Sequence, residues 1–446
     1  MPAVALPALA AVLPAAVAFA GALHAGFVLD DLADVVGNPA ATAARFVERL
    51  PQTVRPLLKA SYAVQDWLHG PWAPGFHAVN LLLHVATTLL LLVLLRRAVR
   101  LSAVAVLATA LWAVHPALTE TVTYVSGRSA GLSALLLLGA LVLATGPVRA
   151  GTVAAAATCA ALAPLARETA LVLPALLLWW QLTVGRGESV RTACTRLLPV
   201  LAGAAVGASV LAAMPGHRTL VAFSLQARPP LDALRGNVHA MADILGYWAM
   251  PWRISIDPPQ PQAWGWLELA TLVRTAGLAV VGGTALALRR RAPVAAFALG
   301  WTLLCLLPSN SLIWRIDPVG LKPLYLASIG PALLLAAVPM RSGGAGRRFG
   351  MAAGAGLGVA LAAMTVQRTA LYADPVALWR DAVDKAPERG RPWIGLGLAL
   401  LEAGRRDEAA AALAAGLARE PWNPAAREGL ALIEATRNIG SDLLQQ

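Results

Sequence analysis

The stretch GFHAVNLLLHVATTLLLLVLL, residues 75–95, contains no Asp, Glu, Lys or Arg and is rich in leucine. A helix needs about 20 predominantly apolar residues to cross a lipid bilayer, and this stretch has that length. Similar uncharged stretches recur along most of the chain. The sequence therefore predicts an all-α fold, a polytopic bundle of membrane helices.

Scanning for such stretches predicts about eleven spans. The first apolar stretch lacks a basic region before it and is longer than the apolar core of a signal peptide, so we expect a membrane helix there. The predicted spans are residues 5–26, 75–95, 101–117, 129–147, 150–166, 169–185, 197–214, 267–288, 292–309, 323–340 and 349–367.

The composition excludes several classes of protein. Hydrophobic residues make up 58% of the chain and charged residues 13%, with a mean hydropathy of +0.64. A soluble domain is about half apolar and a quarter charged, so a soluble enzyme, a disordered scaffold and a secreted disulfide protein are excluded. The net charge is +12, but the arginines lie between apolar runs, which excludes a nucleic-acid-binding protein.

The arginines also predict the orientation of the chain, because basic loops stay on the cytoplasmic side. An N-in, C-out arrangement places residues 27–74, 215–266 and the region after 368 on the exterior side. The alanine-rich and arginine-rich composition suggests a bacterium, and hence its inner membrane, with the exterior side facing the periplasm. The cytoplasmic loops then hold Arg96, Arg97, Arg100, Arg149, Arg186, Arg191, Arg196, Arg289, Arg290, Arg291, Arg341, Arg347 and Arg348.

The composition changes after Gln367, which predicts two domains, residues 1–367 and 368–446. Residues 368–446 carry a charged helical pattern, and we expect this segment to pack on the membrane domain or to bind a protein partner. A plain amphipathic helical hairpin is the alternative. A tetratricopeptide-repeat pattern is met by Trp393, Leu396, Gly397, Leu400, Gly404, Ala409, Leu413 and Pro421.

Polar residues beside membrane spans are costly and usually functional, and here they fall on the exterior side. Asp30 and Asp31 follow the first span in the sequence FVLDD. Two adjacent carboxylates at a membrane surface repel each other, so one is a candidate general base. A solvated cap at the end of a helix is the alternative.

A second polar cluster lies around the predicted second span. Arg55 precedes Pro56 and Leu57, and His77, Asn80 and His84 share one helical face. This face is expected to point into the bundle. Histidines bonded to neighbouring helices explain the pattern equally well.

Further clusters follow the third and fifth spans. His115, Glu120 and Arg128 lie in the short exterior segment 115–128, and Arg167 and Glu168 interrupt an apolar region. A charge retained there needs a counter-ion or a ligand, and a guanidinium binds phosphate bidentately. For Arg167 and Glu168 the alternative is an internal ion pair between the two residues.

The last cluster precedes the predicted span 323–340. Arg315 and Lys322 flank a short exterior segment that follows Pro308-Ser309-Asn310, and Tyr325 begins the apolar run. The two cations are candidates for a basic pocket. Interfacial anchors beside Trp314 are the alternative.

The order and spacing of these clusters resemble the transmembrane and tetratricopeptide-repeat O-mannosyltransferases, a family of GT-C glycosyltransferases that use polyprenyl-phosphate sugars. The resemblance covers almost the whole chain. The matching pieces are Asp30-Asp31, Asn38, Arg55-Pro56-Leu57, His77-x2-Asn80-x3-His84, His115-Pro116-x2-Thr119-Glu120-x-Val122, Gly127-Arg128, Arg167-Glu168, Pro308-Ser309-Asn310, Leu324-Tyr325-Leu326 and the terminal repeats.

The resemblance implies an inverting transfer of a mannose-like sugar from the lipid phosphate to an acceptor hydroxyl, on protein Ser or Thr, at the exterior face. It implies that Asp30 is the base and that Asp31 shapes the field around it, with Glu120 and His115 in the site. Arg55, Arg128, Arg167 and Arg315 would hold the donor phosphate. The residues lining the site would be His77, Asn80, His84, Glu168 and Tyr325.

Two departures from the family limit what can be transferred. The family carries Glu-Arg shortly before Leu-Tyr-Leu, whereas this chain has Leu321-Lys322. The terminal repeats are also much shorter than in the animal proteins. Donor specificity and the acceptor are therefore not inherited from the resemblance.

Two other functions remain open from the sequence: a GT-C transferase acting on a lipid or cell-wall glycan, and a non-catalytic membrane scaffold presenting repeat helices to partners. A transporter is disfavoured, because its charges would lie along a path at mid-bilayer. A divalent cation at the site stays open, but no ligand set beyond Asp30, Asp31 and Glu120 is evident, so no metal is assigned. Cys159, Cys194 and Cys305 have neither disulfide nor zinc spacing.

Overall fold

The structure is a computed structural model that describes residues 2–99, 102–261, 265–341 and 343–444. Within those ranges the regular structure is entirely helical and contains no strand. Arg100, which the sequence assigns to a cytoplasmic loop, lies outside the described residues. So do residue 101 of the third predicted span, residues 262–264 of the second exterior segment and the final residues 445–446.

Twenty-one α-helices are present in the described part of the chain, with shorter 3-10 and π segments between them. They are α1 (Pro2–Phe19), α2 (Phe46–Arg49), α3 (Pro56–His69), α4 (Ala73–Ala98), α5 (Ser102–Ala113), α6 (Thr119–Val122), α7 (Arg128–Ala144), α8 (Ala150–Ala166), α9 (Leu173–Leu182), α10 (Val190–Ala213), α11 (Pro215–Ala227), α12 (Pro230–Ala249), α13 (Leu269–Leu288), α14 (Pro293–Leu306), α15 (Leu324–Ala327), α16 (Ile329–Ala337), α17 (Gly344–Leu371), α18 (Pro375–Lys385), α19 (Gly390–Glu402), α20 (Arg406–Arg419) and α21 (Pro424–Leu444).

Six helical segments are long and apolar enough to cross a bilayer. A seventh candidate consists of α5 and the segment Pro116–Val122, which are bent by 56° at the break between them. The remaining apolar helices are shorter, so the count of about eleven spans stays a prediction. The six are Leu6–His24, Ala73–Ala98, Val125–Ala144, Val190–Ala213, Leu269–Leu288 and Gly344–Leu371.

Helices α8 and α10 pack closely against each other, because the residues at their contact are small. A Cβ atom added at Gly207 would lie 2.5 Å from the carbonyl oxygen of Ala161 and 2.5 Å from Cγ of Pro164. Gly203, one turn earlier, contacts the carbonyl of Ala157 in the same way. Close backbone approach through glycines is a common means of joining helices in a membrane, where lipid removes the hydrophobic driving force.

The interior of the bundle holds large side chains, whereas apolar side chains on its outside stay exposed. Trp112, Trp301 and Phe297 are at most 1% exposed and belong to one continuous core. In contrast, Leu198 and Val280 on candidate spans are 61% and 67% exposed. An apolar exterior of this kind is what a helix facing lipid presents.

Helices α18 to α21 pack around a second core that includes Trp379, Leu400 and Leu413. Residues from the membrane domain belong to the same core: Val28, Tyr124 and Ile256. The C-terminal helices are therefore packed on loops that the sequence predicts to be exterior. Their assignment as tetratricopeptide repeats stays a prediction.

Candidate active site

A cavity of about 800 Å³ lies among the segments that the sequence predicts to be exterior. Its charged lining comes from distant parts of the chain, between residue 30 and residue 391. Apolar side chains of α11 and of the loop before α15 form much of the remaining surface. The charged and histidine residues that line it are Asp30, Asp34, Arg55, Glu120, Arg167, Glu168, His217, Asp257, Arg315, Asp317, Lys322 and Arg391.

Asp30 presents its carboxylate to this cavity. Its side chain is 55% exposed, and its Oδ2 lies 3.8 Å from Nζ of Lys322. The backbone N–H of Asp30 donates to the hydroxyl of Tyr124 at 2.8 Å. The carboxylate thus faces the cavity while its backbone is fixed to the neighbouring segment at Tyr124.

Asp31 is completely buried and does not line the cavity. Its Oδ1 accepts hydrogen bonds from the backbone N–H and the hydroxyl of Ser126, both at 2.7 Å, and its Oδ2 accepts from Val28 N–H at 3.2 Å. Burial raises the pKa of Asp31 from 3.8 to about 6, although these hydrogen bonds favour the charged form. Asp31 therefore fastens the segment that carries Asp30 to the segment at Ser126.

The backbone around the two aspartates is irregular. Leu29 has a φ of +50°, in a region that non-glycine residues rarely adopt. Residues Leu32–Val36 then form a short π-helix, a type of turn that is frequent at functional sites. Backbone strain of this kind persists only when surrounding contacts hold it, and Asp31 makes those contacts.

Glu120 is supplied by the short helix α6, after the bend that follows α5. Its Oε2 accepts a hydrogen bond from Leu321 N–H at 2.5 Å, so it fixes the loop that carries Lys322. His115, from the same 115–128 segment, is 3% exposed and stacks on Trp248 with the ring centroids 5.3 Å apart. His115 does not line the cavity.

Arg167 and Arg315 are the cavity arginines without a carboxylate oxygen within 4 Å among the described residues. Arg167 is 5% exposed, and its Nη1 donates to Ser129 Oγ at 3.1 Å. Nη1 of Arg315 is buried without a hydrogen-bond partner in the part of the chain that the structure describes. Because neither guanidinium forms an ion pair within 4 Å in the part of the chain that the structure describes, this part of the cavity is suitable for an anion.

Gly320 keeps the space between Glu120 and Arg315 open. A Cβ atom at this position would lie 3.8 Å from Glu120 Oε1 and 3.9 Å from Arg315 Nη2. Burial lowers the pKa of Arg315 and of Lys322, and the nearby carboxylates oppose this effect. A bound anion would relieve the cost of burying these cations.

Arg55 and Glu168 form an ion pair across the cavity lining. Arg55 donates from Nε and Nη2 to the two carboxylate oxygens of Glu168, at 3.0 and 2.8 Å. The pair uses two of the three guanidinium nitrogens and leaves Nη1 of Arg55. The sequence left open an internal pair between Arg167 and Glu168. In the structure, Glu168 forms its ion pair within 4 Å with Arg55 instead.

Arg128 lies behind the cavity lining and is 1% exposed. Its Nε donates to Asn80 Oδ1 at 2.8 Å, and its Nη2 donates to the carbonyl of Phe76 at 2.9 Å. Its guanidinium also lies 4.7 Å from the centroid of the Tyr62 ring. These contacts join α3, α4 and α7, so Arg128 stabilises the packing of these three helices.

The polar face of α4 also lies behind the cavity. His84 is fully buried, with Nδ1 2.9 Å from the hydroxyl of Tyr325 and Nε2 2.9 Å from the carbonyl of Ala113. His77 Nε2 lies 3.3 Å from the carbonyl of Gly26. The face points inward, and His77, Asn80, His84 and Tyr325 do not line the cavity.

Two features of the cavity were not singled out from the sequence. Tyr124 lines the cavity, its hydroxyl accepts a hydrogen bond from the Asp30 N–H, and its ring centroid lies 4.8 Å from Nζ of Lys322. Arg391 reaches the cavity from the C-terminal helices. The position of Tyr124 between Glu120 and Arg128, in a segment predicted to be exterior, was a usable signal, but nothing in the sequence around Arg391 indicates its neighbours.

Within the described residues, no group of three or more His, Cys, Asp and Glu side chains is arranged to hold a metal ion. The acids of the cavity lie next to cations instead. Asp30 faces Lys322, Asp34 pairs with Lys59, and Glu168 pairs with Arg55.

The chain is similar in part to the protein O-mannosyl-transferase Tmtc1 of Drosophila melanogaster. The two are 36% identical over 133 residues, which cover 25% of this chain and 15% of the relative. The aligned part of the chain is thus a small part of the relative's length. No family profile matches the chain, and no solved structure matches it.

Proposed function

We propose that this protein is an integral-membrane glycosyltransferase that transfers a monosaccharide from a polyprenyl-phosphate donor to an acceptor hydroxyl on the exterior face. The observation that carries the proposal is that Asp30 shares one cavity with Arg167 and Arg315, two guanidiniums that form no ion pair within 4 Å among the described residues. The partial likeness to an O-mannosyltransferase supports the same reaction class.

In the proposed reaction the acceptor oxygen attacks C1 of the sugar, and Asp30 takes the hydroxyl proton. The bond between C1 and the phosphate oxygen breaks, and the lipid phosphate leaves with the electron pair. Attack opposite the leaving group inverts the configuration at C1. Arg167 and Arg315 stabilise the negative charge that develops on the phosphate, an effect that is usually worth several kcal/mol in enzymes.

The other residues of the cavity assist these groups. Arg55, through its remaining Nη1, is proposed as a third phosphate donor, and Glu168 orients it. Glu120 holds the loop at Leu321 and faces the space beside Gly320. Asp31, Arg128 and His115 act through position, since they lie behind the cavity.

The proposal includes the architecture predicted from the sequence. The chain is N-in and C-out with about eleven spans, a catalytic domain over residues 1–367 and a repeat domain over 368–446. The compartment is the inner membrane of a bacterium, with the cavity facing the periplasm. The proposed sugar is mannose-like and the proposed acceptor is a protein Ser or Thr hydroxyl.

The proposal is tested by supplying membranes that contain the protein with labelled polyprenyl-phosphate mannose. Wild type is expected to transfer label, and Asp30→Asn is expected to lose transfer by about 1,000-fold, because general-base catalysis contributes about 10²–10⁴-fold. Glu48→Gln is the matched control, since Glu48 is an exposed acid of the same exterior segment. Full activity of a folded Asp30→Asn variant would remove Asp30 from the mechanism.

The location of the transferred label identifies the acceptor. Label in protein supports the proposal, whereas label confined to the lipid or glycan fraction indicates a transferase of cell-wall or lipid acceptors. Transfer is expected to persist in EDTA, because guanidiniums already provide positive charge beside the phosphate position. Loss of transfer in EDTA, restored by Mg²⁺ or Mn²⁺, would instead assign a divalent cation to the site.

A further inference from the structure

Two arginines of the C-terminal helices bind two aspartates of the membrane domain at the edge of the cavity. Arg391 donates to both oxygens of Asp257, from Nε at 2.9 Å and from Nη2, and from Nη1 to Asp317 Oδ2 at 2.7 Å. Arg389 contacts the same two carboxylates, at 3.2 and 3.6 Å. We refer to these four residues as the arginine clamp.

The arginine clamp is an internal feature and not a surface ion pair. Asp257 is completely buried, and the side chain of Arg391 is 34% exposed. The two carboxylates raise the pKa of Arg391, against the effect of its burial. A buried carboxylate requires its cationic partners, so the C-terminal helices cannot move away from Asp257 without a large cost.

The clamp joins two loops that line the cavity, the loop after α12 and the loop before α15. Asp257 belongs to the loop after α12, and Asp317 lies two residues after Arg315. Gln260 connects the same loops, because its amide donates to the carbonyl of Val319 at 3.0 Å and accepts from Val319 N–H at 2.9 Å. The clamp is thus part of the framework that holds Arg315.

Other contacts seat the C-terminal helices on the same loop. Nζ of Lys385 donates to the carbonyl of Ile254 at 2.7 Å, and Arg389 donates to the carbonyl of Pro258. Ile256 is part of the hydrophobic core of the C-terminal helices. Polar and apolar contacts therefore attach the helices at one place, beside the cavity.

We propose that the C-terminal helical segment completes the active site and that Arg391 is a positioning residue. In this role Arg391 holds Asp317 and thereby the segment from Arg315 to Lys322, which presents two cations to the cavity. The inference rests on the proposed function, because it assigns these cations to a lipid-linked phosphate. It makes the C-terminal segment a part of the catalytic unit, in addition to any contact with a partner.

The test uses the full chain and compares wild type, Arg391→Ala, Asp317→Asn and the double variant. Two measurements are made: the KM for polyprenyl-phosphate mannose, and the affinity of the purified protein for labelled polyprenyl phosphate without sugar. Arg389 still shields Asp257 in Arg391→Ala, so the variant is expected to fold. Arg405→Ala is the matched control, because its ion pair with Glu408 is exposed on the same segment.

Arg391→Ala is expected to raise the donor KM and weaken phosphate-lipid binding by about tenfold, because a displacement of about 1 Å can cost up to about 100-fold and Arg389 still holds Asp317 in part. Asp317→Asn is expected to have the same effect, and the double variant to add little, because both changes open one contact. Arg391→Lys should restore part of the affinity. Wild-type KM and affinity in Arg391→Ala, or additive effects in the double variant, would overturn the inference.

The two proposals fail in different ways. A wild-type protein that neither transfers sugar nor binds the lipid phosphate contradicts the proposed function. A wild-type protein that does both, together with an Arg391→Ala variant that loses only thermal stability, contradicts the positioning role alone.

Discussion

Helix α8 takes part in two regions with opposite character. Along its middle it packs on α10 through Gly203 and Gly207, with regular backbone and no charge. At its end the backbone becomes extended at Arg167, where φ is −160°, and a 3-10 segment follows. One region joins helices by close contact, and the other delivers a guanidinium to the cavity.

The difference shows how a membrane protein separates stability from chemistry. Inside lipid, every backbone polar group must be bonded internally, so packing regions keep regular helices and small residues. The cavity instead combines a broken helix at Arg167, a bend before Glu120 and a left-handed Leu29. Irregular backbone is tolerated there because it lines a polar space.

The largest expected effect comes from removing the anion-binding charges of the cavity. The double variant Arg167→Gln/Arg315→Gln is expected to lower sugar transfer by about 1,000-fold, equivalent to about 4 kcal/mol. The reason is that both guanidiniums face the cavity without a carboxylate partner among the described residues. The measurement is kcat/KM with labelled polyprenyl-phosphate mannose.

The control for this variant is Arg406→Gln, which removes an exposed cation at the start of α20. It should keep wild-type kcat/KM. A double variant that retains most of the activity and folds normally would mean that the donor phosphate binds elsewhere.

The next effect concerns the packing region alone. Gly207→Leu is expected to lower the free energy of unfolding by about 3 kcal/mol, because the new side chain overlaps the carbonyl of Ala161 and the ring of Pro164. Gly283→Leu is the matched control on α13, since a Cβ atom there meets nothing within 4 Å. Thermal unfolding in detergent compares the two.

An unchanged unfolding temperature in Gly207→Leu would contradict the close contact between α8 and α10. Donor affinity, measured on folded Gly207→Leu protein, tests whether the packing region and the cavity are independent. It should be nearly normal if packing and binding are separable, and reduced if the displacement of α8 reaches Arg167.

The smallest effect is a pH dependence from Asp31. Its pKa is raised by folding, from 3.8 to about 6, so its contribution to stability is fullest below pH 4 and is lost as the pH rises through 6. Wild type should therefore lose stability relative to Asp31→Asn between pH 4 and pH 7. The difference in unfolding temperature between the two proteins, measured across this range, gives the sign directly. A difference that grows in favour of wild type toward pH 7 would contradict the raised pKa.

The sequence was sufficient to select Asp30, Glu120, Arg55, Arg167 and Arg315 as neighbours, and all five line one cavity. The reason is that alternation of apolar runs and arginine-rich loops assigns each polar segment to one side of a membrane. Residues on the same side and next to a span are confined to a thin layer, which brings distant parts of the chain together.

The sequence could not assign the direction of each side chain within that layer. Asp30 and Asp31 are adjacent and chemically identical, but only Asp30 faces the cavity, because Asp31 is bonded to Ser126. Arg128 has the same chemistry as Arg167 and is held by Asn80 behind the lining. These distinctions depend on contacts between remote residues, which hydrophobic periodicity does not encode.

The helix lengths set another limit on sequence reasoning. The predicted stretch 150–166 coincides with α8, whereas in the predicted stretch 169–185 the α-helix α9 covers only Leu173–Leu182 and follows a 3-10 segment. Pro164 and the polar pair at 167–168 interrupt the helix, and hydropathy averaged over a stretch does not register such a break.

The arginine clamp also has a consequence for the biogenesis of the protein. Arg389 and Arg391 follow all of the candidate membrane spans of the described residues, so they are synthesised after those helices. Until then, Asp257 and Asp317 lack their ion pairs with Arg389 and Arg391. A chain truncated before residue 389 would lack both arginines and leave the buried Asp257 without these cationic partners, which destabilises the folded state.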